Sequence, residues 1–125
     1  MNPLFDSTDL IYVLRNQPEA VRISRLAAGS FDKLYTSAMN VAEVFSGMRR
    51  GEEEKTERLI ESFTVLPVTK EIARAAGHLK LEWARKGRTL SVQDMIVAAT
   101  ALEHSLMLVT HNRRDFPMEG LVFWP

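Results

Sequence analysis

Four acidic residues of this sequence follow an apolar run, begin a helix or lie on the polar side of one. They are Asp6, Glu43, Asp94 and Asp115. Carboxylates that are gathered at one place repel one another, and each then tends to take up a proton. A hard divalent cation such as Mg²⁺ or Mn²⁺ relieves this repulsion because it prefers oxygen ligands. Such a site orients a phosphate group and lowers the pKa of a bound water, as phosphodiester hydrolysis requires.

Each of the four acids also has a purely structural interpretation. Asp94 lies three residues after Ser91, which is the S-x-x-D pattern of a helix cap, and an acid in the first turn favours the helix dipole. Asp6 can start a turn or cap the first helix, and Asp115 can shape a turn. Glu43 alone is typical of a solvated helix residue. Gaps of 37, 51 and 21 positions do not show that the four residues converge, so both interpretations stay open.

Short apolar runs predict the strands that position these acids. Four runs are typical of buried strands, and a fifth, at 33–35, is a weaker signal. The four are Leu4-Phe5, Val65–Val68, Leu106–Val109 and Leu121–Phe123. Strands that alternate with helices and are this apolar indicate a parallel α/β sheet covered on both faces. Ligands bind outside the carboxyl ends of such strands, where Asp6 and Asp115 are expected.

Helical spacing of apolar residues predicts helices between the runs. The stripes are Leu10-Val13-Leu14, Ala38-Val41-Ala42-Phe45 and Ile72-Ala75-Ala76-Leu79, the last within about 70–86, and the segment Val92–Leu102 is apolar almost all round. The second stripe leaves Glu43 on another face of its helix, together with Asn40 and Gly47. An acidic run that begins at Glu52 indicates one more, solvated helix.

Length and composition exclude several classes of protein. The 125 residues are 46% hydrophobic and 26% charged, which is typical of one globular domain, expected here to span 1–125. The chain has no cysteine, which excludes disulfides and thiolate metal sites. Sixteen basic residues balance sixteen acidic ones, so a domain-wide positive field for nucleic acid is absent. No apolar run approaches a membrane span of about 18 residues, and we expect a cytoplasmic protein.

Four segments resemble, in order, the motifs of the PIN-domain family, and specifically those of VapC-type toxins of toxin–antitoxin systems. The segments are FDSTDLIYVLR at 5–15, NVAEVFSG at 40–47, GRTLSVQDMIVAATAL at 87–102 and LVTHNRRDF at 108–116. The resemblance runs nearly end to end. It implies a three-layer α/β fold with a mainly parallel central sheet flanked by helices. It also implies a metal-dependent endoribonuclease, the toxic component of a type II system.

The resemblance implies a role for each acidic residue and for several of its neighbours. Asp6, Glu43, Asp94 and Asp115 would be the catalytic acids that hold Mg²⁺ or Mn²⁺, and the cation would activate water to hydrolyse RNA. Ser7 or Thr8 would hold Asp6 in place. Thr110 and Asn112 would support the metal or its waters.

Two residues depart from the family pattern, and one histidine lies near the expected site. Asp9 stands where the family usually has an apolar or amide residue, and we interpret it as a helix N-terminal acid rather than a fifth ligand. Asn112 replaces an acid of some relatives, which lowers the negative charge available to a second cation. His111 is the one histidine beside the expected site, and a plain loop role is its main alternative.

The family also implies partners. These are an RNA substrate, a small VapB-like antitoxin whose C-terminal segment occupies the groove, and a second copy of the chain in a homodimer. Two alternatives stay open at this point. The chain could be a non-catalytic PIN-like module that binds RNA or protein, or it could be a nuclease that cleaves DNA.

Overall fold

Four short parallel strands form the centre of the molecule in a computed structural model that describes residues 1–125. They are β1 (Pro3–Phe5), β2 (Tyr35–Ser37), β3 (Thr64–Leu66) and β4 (Met107–Val109). Their order across the sheet is β3-β2-β1-β4, and every neighbouring pair is parallel. All four strands therefore end at one edge of the sheet, which we call the carboxyl edge.

Six helices and one short 3-10 turn connect and cover the strands. The helices are α1 (Ser7–Leu14), α2 (Pro18–Ser30), α3 (Ala38–Ser46), α4 (Glu53–Glu61), α5 (Lys70–Arg85) and α6 (Val92–Glu103), and the turn is Arg113–Asp115. None of the helices combines the length and the apolar character needed to cross a membrane.

Two apolar clusters pack against opposite faces of the sheet. Leu4 and Leu108 belong to the larger cluster, with residues of α5 and α6. Phe5 and Val109 belong to the smaller one, with residues of α1, α2, α3 and α4. Successive residues of a strand point to opposite faces, so the helices form a layer on each side of the sheet. This arrangement confirms the predicted three-layer α/β fold with a parallel central sheet.

One strand predicted as buried is exposed instead. The run Val65–Val68 contains β3, but Val65 is 40% exposed and Val68 is 37% exposed. The physical reason is that β3 is an outermost strand of the sheet and pairs with β2 alone.

Two other strand predictions need a correction of position. The weak run at 33–35 only leads into β2, which spans Tyr35–Ser37 and whose Thr36 and Ser37 are fully buried. The run Leu121–Phe123 forms no strand, and only Phe123 makes an isolated parallel bridge, to Leu108.

The predicted apolar stripe of α3 is wrong in part. The structure buries Asn40 and Val44 completely or nearly so, whereas Ala42 is exposed. Asn40 can be buried because its amide donates to the carbonyl of Phe5 over 3.0 Å and to Thr36 Oγ1 over 3.2 Å. These bonds satisfy a polar group inside the core and attach α3 to β1 and β2.

The other predicted helices form where the spacing placed them. The segment that is apolar all round becomes α6, whose residues Met95–Ala101 are all buried. The stripe within α5 buries Ile72 and Ala76, although Ala75 on the same stripe is exposed. The acidic segment forms α4, which begins after Glu52.

Candidate active site

Asp6 is held in a fixed position at the carboxyl edge. It follows β1 and is the N-cap of α1, and only 4% of its surface is exposed. Its Oδ1 accepts a bond of 2.9 Å from the backbone N–H of Ser7. Its Oδ2 accepts a bond of 2.9 Å from the hydroxyl of Thr110, directly after β4. Asp6 and Thr110 are 104 positions apart. Their bond joins the first predicted motif to the last.

Burial changes the protonation of Asp6. Loss of solvent raises the pKa of this carboxyl to about 7, although the bonds from Thr110 and Ser7 favour its charged form. The negative charges of Asp9 and Asp94 raise the pKa further. Near neutral pH the carboxyl therefore exchanges readily between its acid and its anion, and a nearby cation would favour the anion.

Glu43 faces the same region from α3. Its Oε1 accepts a bond of 3.3 Å from the hydroxyl of Ser7. Burial raises the pKa of Glu43, the bond from Ser7 opposes this effect, and the charge of Asp94 adds to it. Ser7, one of the two residues expected to hold Asp6 in place, donates its backbone N–H to Asp6 and its hydroxyl to Glu43. The hydroxyl that reaches Asp6 belongs to Thr110.

Asp94 lies in the first turn of α6, as the capping pattern predicts. Ser91 is the N-cap, and its hydroxyl accepts a bond of 3.0 Å from the backbone N–H of Asp94. Burial raises the pKa of the Asp94 carboxyl, a hydrogen bond between this carboxyl and the Ser91 side chain lowers it, and the charge of Asp115 raises it. The capping interpretation is confirmed for Ser91.

The four predicted acids lie near enough for their charges to act on one another. The charge of Asp94 acts on Asp6 and on Glu43, and the charge of Asp115 acts on Asp94. No three of these acids lie close enough to enclose an ion by themselves. Mg²⁺ usually keeps several waters and takes only one or two carboxylates from a protein, so this open set of oxygen donors fits such an ion.

The loop after β4 supports the site through its backbone. Asn112 donates its backbone N–H to Thr110 Oγ1 over 3.0 Å, and its carbonyl accepts from the N–H of Asp115 over 2.9 Å. Thr110 thus bonds Asp6 and orders the loop that carries Asp115.

Asp9 has a contact that its sequence position does not reveal. It lies in the first turn of α1, as predicted, but it is only 3% exposed. Its Oδ2 accepts from the backbone N–H of His111 over 3.3 Å, and its Oδ1 contacts His111 Nδ1. The signal available in the sequence was an acid at a usually apolar position together with a histidine in the loop beside the site.

The match with known protein families extends over most of the chain. Residues 4–117 match the PIN domain. The chain belongs to the PIN-domain family. Its relatives place it with the VapC proteins of that family, so the predicted family is confirmed.

Two relatives and one solved structure give the extent of the similarity. The chain is 37% identical over 115 residues to ribonuclease VapC10 of Mycobacterium tuberculosis, and the match covers 92% of this chain and 86% of that protein. It is 30% identical over 118 residues to ribonuclease VapC2 of Haemophilus influenzae, which covers 90% and 88% of the two chains. A toxin-antitoxin complex from Klebsiella pneumoniae gives a TM-score of 0.82 at 26% identity, with 99% and 98% covered.

Proposed function

We propose that this PIN-domain chain is a metal-dependent endoribonuclease and the toxic component of a type II, VapBC-type toxin–antitoxin system. The names of the two relatives support a ribonuclease, and the toxin-antitoxin complex of similar fold supports a toxin. A VapC ribonuclease is favoured over a non-catalytic PIN-like module, since binding alone does not require clustered carboxylates. The domain would span 1–125 and act in the cytoplasm, where RNA is available.

One observation carries the catalytic part of this proposal. Ser7 joins two of the acids, since its backbone N–H donates to Asp6 and its hydroxyl donates to Glu43. Burial is the main cause of the raised pKa values of Asp6, Glu43 and Asp94, and the charges of neighbouring acids raise them further. Carboxylates arranged in this way destabilise one another unless a cation or protons neutralise them. Such an arrangement costs stability, so its presence favours a functional role over helix capping alone.

The residues that would hold Mg²⁺ or Mn²⁺ are Asp6, Glu43, Asp94 and Asp115. When bound, such a cation supplies positive charge to phosphoryl oxygens and lowers the pKa of water. The chain itself keeps the donors in place. Thr110 holds Asp6 Oδ2 and Ser7 holds Glu43 Oε1. Ser91 begins the helix that carries Asp94.

Digestion of single-stranded RNA and DNA by the purified chain tests the proposed activity. We expect cleavage of RNA in Mg²⁺ or Mn²⁺, no comparable cleavage of DNA, and no cleavage in excess EDTA. Asp94→Asn should abolish cleavage with an unchanged circular dichroism spectrum. Glu103→Gln, at the exposed end of the same helix, is the matched control and should cleave normally. Full activity in EDTA would contradict the metal mechanism, and full activity of Asp94→Asn would contradict the site.

The proposed partners are a small VapB-like antitoxin, whose C-terminal segment occupies the groove, and a second copy of the chain. Co-expression with a candidate antitoxin should give a complex without ribonuclease activity. Light scattering of the purified chain should give the mass of a dimer, twice 14.2 kDa. Unchanged activity in the complex would contradict inhibition by that partner.

A further inference from the structure

A cleft beside the acidic residues has a lining that suits an RNA base. Its volume is about 300 Å³, at the lower end of ligand sites in proteins. The lining includes His111, Trp124, Ile23, Val109, Arg113 and Glu19. Thr110 also lines this cleft, and the same residue donates to Asp6 over 2.9 Å. The His111 cleft, as we call it, therefore shares a residue with the acidic site.

The imidazole of His111 is held in place although it is partly exposed. Its side chain is 34% exposed, whereas that of Asp9 is only 4% exposed. Asp9 accepts from the backbone N–H of His111 and contacts Nδ1 of the ring. The ring of Tyr12 packs against the imidazole edge to face, with 5.1 Å between centroids and an angle of 77°. A flat, oriented and accessible ring is a stacking surface for an unpaired base.

The charges of the cleft argue against a cation as its ligand. Glu19 accepts two bonds from Arg22, over 3.0 Å and 2.7 Å, and Asp9 is bonded to His111. Both acids of the lining thus already have partners. The guanidinium of Arg113 lies 5.1 Å from the ring of Phe123 and already donates to the carbonyl oxygen of Pro125, which also lines the cleft. The rings and apolar side chains that remain suit a nucleobase.

We propose that the His111 cleft binds one unstacked RNA base adjacent to the scissile phosphate. His111 is the stacking surface, and Asp9 is a positioning residue that acts through His111. The proposal rests on the proposed ribonuclease function and adds a base-binding site to it. Stacking of a base on an aromatic side chain changes binding by about tenfold or more and tolerates all four bases. At one position near the cut, cleavage should therefore prefer an intact base over an abasic nucleotide by about that factor, and we call this difference the base preference.

Cleavage in Mg²⁺ of single-stranded RNAs that each carry one abasic nucleotide, at successive positions around the cut, measures this preference. We expect the abasic nucleotide to slow the wild-type chain by about tenfold at one position, and not to slow His111→Ala further. His104→Ala removes an exposed histidine at the end of α6 and should keep the tenfold difference.

Other outcomes separate this proposal from the proposed function. If His111→Ala keeps the base preference, the cleft is not the base site, and the ribonuclease assignment is unaffected. If that preference is kept while antitoxin binding weakens, the cleft recognises protein instead, and the proposal is overturned. If the wild type cleaves no RNA, the proposed function fails first and this proposal with it. Asp9→Leu combined with His111→Phe keeps a flat ring on an apolar support, and it should restore the preference.

Discussion

Replacing Asp6 by asparagine should stabilise the metal-free protein at pH 8. The pKa of Asp6 is about 7 in the folded protein, against a usual value of 3.8. The folded state therefore binds the proton more tightly than the unfolded chain does, and its stability falls as the pH rises from about 4 to 7. A difference of about three pH units corresponds to about 4 kcal/mol. An asparagine side chain has no charge to bury, so the Asp6→Asn variant avoids this cost.

The hydrogen bonds of Asp6 set the net size of the effect. Asparagine keeps one acceptor oxygen and remains a good N-cap, but it cannot accept from both Ser7 and Thr110 as the carboxylate does. Subtracting about 1 kcal/mol for one altered bond leaves about 3 kcal/mol in favour of the variant at pH 8. For a domain of this size, that difference corresponds to a midpoint higher by about 10 °C.

Urea unfolding in EDTA at pH 5 and pH 8 measures this effect. The free energy of unfolding of Asp6→Asn minus that of the wild type should increase by about 3 kcal/mol from pH 5 to pH 8, because folded wild type loses most of its Asp6 proton in that interval. Asp32→Asn, which changes an exposed acid, is the matched control and should show no such increase. Added Mg²⁺ should stabilise the wild type more than the variant. The reasoning is refuted if the difference between Asp6→Asn and wild type is the same at both pH values.

Three further predictions concern the residues around the acids and the charge of the whole chain. Thr110→Val should lower the free energy of unfolding by about 1.5–3 kcal/mol at pH 8 in the same urea assay, as expected for a lost bond to a charged group. Thr110→Ser keeps the hydroxyl and should keep most of the stability. Ser91→Ala should lower the free energy of unfolding by about 1 kcal/mol because the α6 cap is lost. Ser91→Thr keeps a capping hydroxyl and should lower it much less, and equal losses would contradict the capping role. RNA binding by Asp94→Asn, measured by fluorescence anisotropy, should weaken as salt is added. A plot of the logarithm of the binding constant against the logarithm of the salt concentration should have a slope no steeper than about −3. A markedly steeper slope would contradict the weak binding expected of a neutral chain.

Local patterns were enough to predict three of the four strands, β1, β3 and β4, and most of the helices that carry the site. The segment 92–102 is apolar on every side, and only a helix covered on most sides accommodates such a pattern. Asp6 and Asp115 each follow a predicted strand, and parallel strands end at one edge. The helix α2 was not predicted, because it buries only Ala20 and Ala27. Its remaining signal was a proline at its start, Pro18.

Contacts between distant residues were beyond such patterns. The burial of Asn40 depends on the carbonyl of Phe5, and nothing in the spacing of α3 indicates that this acceptor faces the helix. The contact between Asp9 and His111 joins residues 102 positions apart. The position of Asp9 in the first turn of α1 was predictable. Its burial and its bond to the loop at His111 were not, because both depend on how the whole chain folds.

The formal net charge of zero is the sum of a negative acidic site and a positive remainder of the chain, and this separation of charge affects RNA binding. Without the four site acids, 12 acidic residues remain against 16 basic ones, a net charge of +4. Several of the remaining acids already pair with arginine, as in Glu52 with Arg15 and Glu19 with Arg22. The excess positive charge therefore lies outside the acidic site, which would repel phosphate until a cation neutralises it. The proposed nuclease would therefore bind RNA weakly over most of its surface and firmly only at the site that holds the cation.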